Sequence, residues 1–195
     1  MANQTLFRWG GLISIVTAAL LVITTIVNFY PLSVVGQWLF IATAVFLVFT
    51  MMALYSAQAG KSGVLGLVGF VLTIIGSVFL AIGSFVVLAR VSGIEEAKAV
   101  VKFWSTTVVG SAPLLLGLGL ILFGIATVRA HVYPRWAGML LNIGVVLLTI
   151  TGMSTLLLQN ILIVSGVLSV IALAIASVGL GWMGWVLWSS KGEMT

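Results

Sequence analysis

VLGLVGFVLTIIGSVFLAIGSFVVL occupies Val64–Leu88 and contains no charge, no amide and no proline. As an α-helix these 25 residues would span about 37 Å at 1.5 Å per residue. The hydrocarbon core of a bilayer is about 30 Å thick. In lipid, a lone segment closes its backbone hydrogen bonds only as a helix. The stretch therefore reads as a membrane span, and the rest of the chain follows from it.

Five further segments have the same character on either side: Gly10–Tyr30, Trp38–Tyr55, Thr106–Val128, Ala137–Leu158 and Ile161–Leu187. The expected fold is all-α: one integral membrane domain over residues 1–195, a polytopic helix bundle with six transmembrane helices. Composition agrees, at 62% hydrophobic, 6% charged and a mean hydropathy of +1.35. A soluble fold could not cover so apolar a chain with polar groups. The net charge of +5 comes from eight cations against three acids. The cations are scattered and form no basic stripe, so nucleic acid is not an expected partner. Having no cysteine, the chain has no disulfide and no thiolate chemistry. Its first apolar run exceeds the h-region of a signal peptide and has no clear small-residue cleavage site, so it reads as a first span.

Orientation follows from the basic residues. With the N-terminus inside, the inner segments carry Arg8, Lys61, Arg129, Arg135 and Lys191, and one outer loop carries Arg90, Lys98 and Lys102. The bias favours both termini in the cytoplasm. Trp9, Tyr30, Trp38, Tyr55, Trp104, Tyr133, Trp136 and Trp188 lie near expected span ends, where amphipathic rings anchor. Trp182, Trp185 and Trp188 form an i, i+3, i+6 stripe that either anchors the last helix or lines a groove for a pigment or lipid tail. Ser92-Gly93-Ile94-Glu95 has the pattern of a capping box. It predicts an amphipathic extension over about residues 93–103, ahead of a helix bent at Pro113.

Glycine supplies the packing signal. Gly69, Gly76 and Gly83 repeat every seven residues in the third span, as do Gly110, Gly117 and Gly124 in the fourth. A seven-residue period keeps glycine on one stripe and lets two backbones approach. The two spans are expected to pack along these stripes. Ser62-Gly63-Val64-Leu65 recurs as Ser165-Gly166-Val167-Leu168, Tyr30-Pro31 as Tyr133-Pro134, and Gly76 pairs with Gly179, all 103 residues apart. This spacing suggests a 3+3 inverted repeat of the kind known in transporters.

Much chemistry is missing. There is no aspartate, and Glu95, Glu96 and Glu193 lie outside the spans. Proton-coupled transport ordinarily needs an ionisable group in the membrane, and paired-carboxylate catalysis needs acids that converge. One histidine cannot supply two axial haem ligands. No catalytic constellation and no metal site is expected, so the chain does not read as an enzyme. Asn142 is the one amide well inside a span, a candidate either for bonding a neighbouring helix or for meeting a ligand. Thr24, Thr25, Thr149, Thr151 and Ser154 can bond their own helices.

The segment Arg129–Gly138 holds the only histidine. Arg129 and Arg135 face lipid phosphates, Trp136 anchors the turn, and Pro134 stops the helix. His131 is explained by the turn, with a role toward a pigment, haem or metal as the alternative. GIATVRAHVYPRWAGMLLNIG, Gly124–Gly144, resembles a turn found in small uncharacterised bacterial polytopic membrane proteins. It covers 21 of 195 residues. That resemblance implies a bacterial inner-membrane protein and brings no catalytic residues.

Two functional expectations result. The first is a non-catalytic membrane subunit packed in a larger complex of respiratory or photosynthetic type, with lipid or pigment held between subunits. Its partners would be membrane lipids and other membrane chains. The alternative is a small transporter or channel for an apolar or neutral solute; a lipid-modifying enzyme has least support.

Overall fold

The computed structural model describes residues 2–27, 34–93, 110–157 and 162–189. Five helices account for them: α1 (Ala2–Val27), α2 (Val34–Val91), α3 (Gly110–Ala130), α4 (Arg135–Leu157) and α5 (Leu162–Ser189). No strand occurs among the described residues. Four helices contain stretches long and apolar enough to cross a bilayer: Phe7–Val27, Val34–Ala89, Ser111–Ala130 and Gly166–Ser189. The apolar part of α4, Arg135–Thr151, is shorter. The architecture is consistent with a helical membrane bundle.

α2 is the element that sequence reading divided differently. A link was expected between Tyr55 and Val64, yet helix continues through it. Ser56 to Ser62 are small or polar residues that tolerate helix, and Ser56 Oγ donates back to the Ala53 carbonyl at 2.8 Å. Only Gly63 departs, with φ 59° and ψ −161°. That region is open essentially to glycine alone. At 58 residues, a straight α2 would be about 87 Å long; instead it doubles back at this residue. Trp38 meets Phe85 edge-on at 6.0 Å, and Tyr55 stacks on Phe70 at 4.6 Å. As one number rises the other falls, so arms 34–62 and 64–91 run antiparallel.

Each remaining pair of neighbours around the ring is antiparallel too. Thr17 meets Thr50 and Thr24 meets Thr43 between α1 and the first arm. Gly69 faces Phe123 and Gly76 faces Leu116 between the second arm and α3. Asn142 of α4 reaches Gly124 of α3, Gly144 of α4 abuts Ala176 of α5, and Gly11 of α1 abuts Gly184 of α5. Thus α1 touches α5 as well as α2, and the helices close into a ring. Inside it, Phe123, Leu47, Met51, Leu54, Leu141 and Met183 are buried in one core. Large apolar side chains also cover the outside, Val64 at 77% and Trp136 at 68% exposed. Small residues at helix contacts with large ones facing outward is the pattern of packing in lipid, where dispersion replaces hydrophobic drive.

At the far end of α2, the Ser92 N–H donates to the Leu88 carbonyl at 2.9 Å, and Gly93 has φ +80°. A left-handed glycine just past the last turn is a C-terminal stop. Ser92 and Gly93 therefore end one helix here, whereas the capping-box pattern predicted the start of another. From residue 94 onward, the amphipathic extension expected over 93–103 lies outside the described residues.

Candidate functional site

Alternating helix directions bring Arg8, Lys61, Arg129 and Arg135 to one end of the bundle, all four exposed. Arg90 belongs to the opposite end of α2; Lys98, Lys102, Lys191 and the three glutamates lie outside the described residues. The described part of this end thus carries cations and no acid. Among the described residues no three metal-ligating side chains gather.

His131 sits at this end, directly after α3, with φ 53°. Its Nδ1 lies 2.7 Å from the Arg129 carbonyl, and its Nε2 lies 2.7 Å from Arg135 Nη2. A carbonyl only accepts and a guanidinium only donates. Nδ1 therefore donates, Nε2 accepts, and the ring locks the turn between α3 and α4. Both nitrogens that could ligate a metal are occupied. Tyr133 had been expected at the membrane interface beside Trp136, but only Trp136 is exposed. Tyr133 is buried, and its hydroxyl donates to the Leu54 carbonyl at 3.2 Å. Burial pushes that hydroxyl well above the ordinary tyrosine range, so it stays a donor.

Asn142 is spent on α3. Its amide lies 3.0 Å from the Ile121 carbonyl and 3.2 Å from the Ile125 N–H; since a carbonyl only accepts and an N–H only donates, Nδ2 is assigned to the first and Oδ1 to the second. These two groups lie four residues apart, the two sides of one helical rung. Gly124 makes the approach feasible, since a Cβ there would strike the amide.

The glycine stripes divide between two faces. Gly69 and Gly76 pack against α3. Gly117 and Gly124, expected to meet them, instead face Thr149 and Asn142 of α4. Gly119 is the residue of α3 that meets the second arm, at Thr73. Two positions along a helix turn about 200°, so α3 uses glycine on opposite sides. Gly83 lines a separate hollow of about 130 Å³ with Gln37, Phe40 and Ser84, far from the cationic end. Gly110 opens α3. Trp182 and Trp185 lie on the outer face, and Trp185 meets Trp188 at 5.0 Å. Ser154, Ser165 and the Tyr30-Pro31 pair fall outside the described side chains. Gly76 packs on α3 while Gly179 packs on Ala137 and Leu141 of α4, so this pair occupies different kinds of seam.

Two features escaped sequence reading. Thr17 and Thr24 on α1, and Thr43 and Thr50 on the first arm, share the seven-residue spacing that singled out the glycines. Thr17 and Thr50 meet at 2.7 Å, Thr24 and Thr43 at 2.9 Å. Thr17 spends its hydrogen on the Ile13 carbonyl, so Thr50 donates to it. The second is Gln58, which is fully buried and has no partner for Nε2 or Oε1 among the described residues. Nothing in its local sequence marks it.

No family model, no curated protein and no solved structure matches the chain.

Proposed function

We propose that the chain is a six-span, non-catalytic subunit of a bacterial inner membrane, with both termini cytoplasmic, packed by its apolar outer face within a larger membrane complex. The two arms of α2 count as two crossings in this reading. One observation carries it: most of the polar side chains between the helices are spent on a neighbouring helix or on their own. Asn142 bonds the α3 backbone, Thr17 bonds Thr50, Ser14 bonds the Leu180 carbonyl at 3.0 Å, and Ser169 bonds Thr151 at 3.1 Å. Among the described residues, Gln58, Ser62 and Ser177 are the buried side chains left without a partner. Mild extraction followed by native mass spectrometry tests the proposal. A fixed stoichiometry with other membrane chains is expected; a chain that runs alone under every mild condition would remove its support.

A second reading, a conduit for a small neutral solute, rests on Gln58. A buried amide without partners costs about 1–3 kcal/mol, and a hydrogen-bonding guest would offset that cost. Flux of a neutral solute into vesicles, abolished by Gln58→Leu and kept by Asn142→Leu, would favour this reading over the first.

A further inference from the structure

We infer that the seam between α1 and α5 holds the headgroup of a net-negative phospholipid. A cavity of about 260 Å³ opens there, lined by Thr5, Arg8, Trp9, Leu12 and Trp188. It lies at the end of the bundle that carries Lys61, Arg129 and Arg135. Beside Leu12 the seam is shut. A Cβ on Gly11 would meet the Gly184 carbonyl at 2.5 Å and the Trp188 nitrogen at 2.6 Å, and Ser14 bonds Leu180 one turn further in. The seam is therefore closed from Gly11 inward.

Its four α1 residues occur at i, i+3, i+4 and i+7, which is one stripe of a helix. Along that stripe the chemistry runs from hydroxyl to cation and indole, then to an aliphatic side chain. A phospholipid entering from the bundle end presents its groups in the same order: polar headgroup, phosphate, then acyl chain. Trp9 and Trp188 offer indole N–H donors and apolar rings at headgroup depth. Arg8 is the only charge in the lining and has no anionic partner among the described residues. Its planar fork suits a phosphate. A zwitterionic headgroup would bring an ammonium for which the lining offers no carboxylate. The site does not depend on whether the chain travels with other subunits.

The test uses the full chain in mild detergent, offered phosphatidylglycerol and phosphatidylcholine in equal amounts. Native mass spectrometry reads the lipid retained, and the melting midpoint is followed with each lipid added. Preferential retention of one phosphatidylglycerol is expected, with a rise in midpoint. Arg8→Gln should weaken retention about fivefold, the equivalent of the ~1 kcal/mol that a basic residue contributes at an anionic surface. Trp188→Ala, which removes a wall and keeps the charge, should weaken it as well. Lys61→Gln, a cation at the same end away from the seam, should leave it unchanged. Equal retention of phosphatidylcholine would overturn the assignment, as would equal losses in Arg8→Gln and Lys61→Gln. Inorganic phosphate that displaces the lipid and raises the midpoint alone would reassign the site to a free anion and overturn the lipid.

Discussion

His131 shows how a residue that looks chemical can be structural. The turn needs one residue in the left-handed region, where an L side chain costs roughly 1–2 kcal/mol. It also needs one donor facing Arg129 and one acceptor facing Arg135, and a neutral imidazole supplies both. His131→Ala keeps the strained backbone and loses both bonds. His131→Gly loses the bonds and relieves the strain. The glycine variant should therefore melt above the alanine variant, by the equivalent of about 1 kcal/mol, and below the native chain; the reverse order would show that the turn is not held this way. Asn142 yields a similar contrast. Asn142→Leu adds apolar surface to an apolar protein, yet it should lower stability by about 1 kcal/mol because two bonds to α3 are lost. Gly124→Ala strikes the same amide. The double variant should cost less than the two single losses added together, since they remove one interaction. Additive losses in a thermal or denaturant series would separate the two residues.

At the scale of the element, α2 depends on one backbone angle. A Cβ at Gly63 would meet nothing within 4 Å, and none at Gly60 would either. The two residues differ in conformation: Gly63 is left-handed and Gly60 is helical. Gly63→Ala should thus cost roughly 1–3 kcal/mol through backbone strain alone, while Gly60→Ala should stabilise by up to about 1 kcal/mol through helix propensity. Equal melting midpoints for the two would mean that the hairpin does not turn at Gly63. Nothing in the sequence between Tyr55 and Val64 announces a single-residue turn. Polarity there marks where the chain leaves an apolar layer, but helix and loop are equally compatible with it. The close approaches at Gly69, Gly76 and Gly124 were legible because a missing Cβ has one main use in lipid. Which neighbour they approach was not legible. Gly117 and Gly119 differ by two positions and face opposite helices, and only the assembled ring assigns them. The threonine pairs obey the same period, but hydroxyls also bond their own helix, so the spacing alone did not mark them as partners.

The whole molecule is ordered by alternation. Around the ring every pair of neighbouring helices is antiparallel, so the chain alternates in direction, and the exposed cations Arg8, Lys61, Arg129 and Arg135 gather at one end. Charge counting along the sequence had placed these residues on one side by assuming six crossings; the contacts bring them together independently of that count. The positive-inside rule would put this end in the cytoplasm, the orientation proposed above. The chain contains no cysteine, so single cysteines can be introduced without background. Lys61→Cys and Trp136→Cys should resist an impermeant thiol reagent applied to intact cells and react once the membrane is opened. Gly93→Cys, at the other end of α2, should react from outside. If Lys61→Cys and Trp136→Cys react from opposite sides, the second arm and α3 do not form one antiparallel pair, and the ring itself is wrong. If both react from outside and Gly93→Cys does not, the ring stands and the orientation is reversed, which places the Arg8 cavity in the outer leaflet.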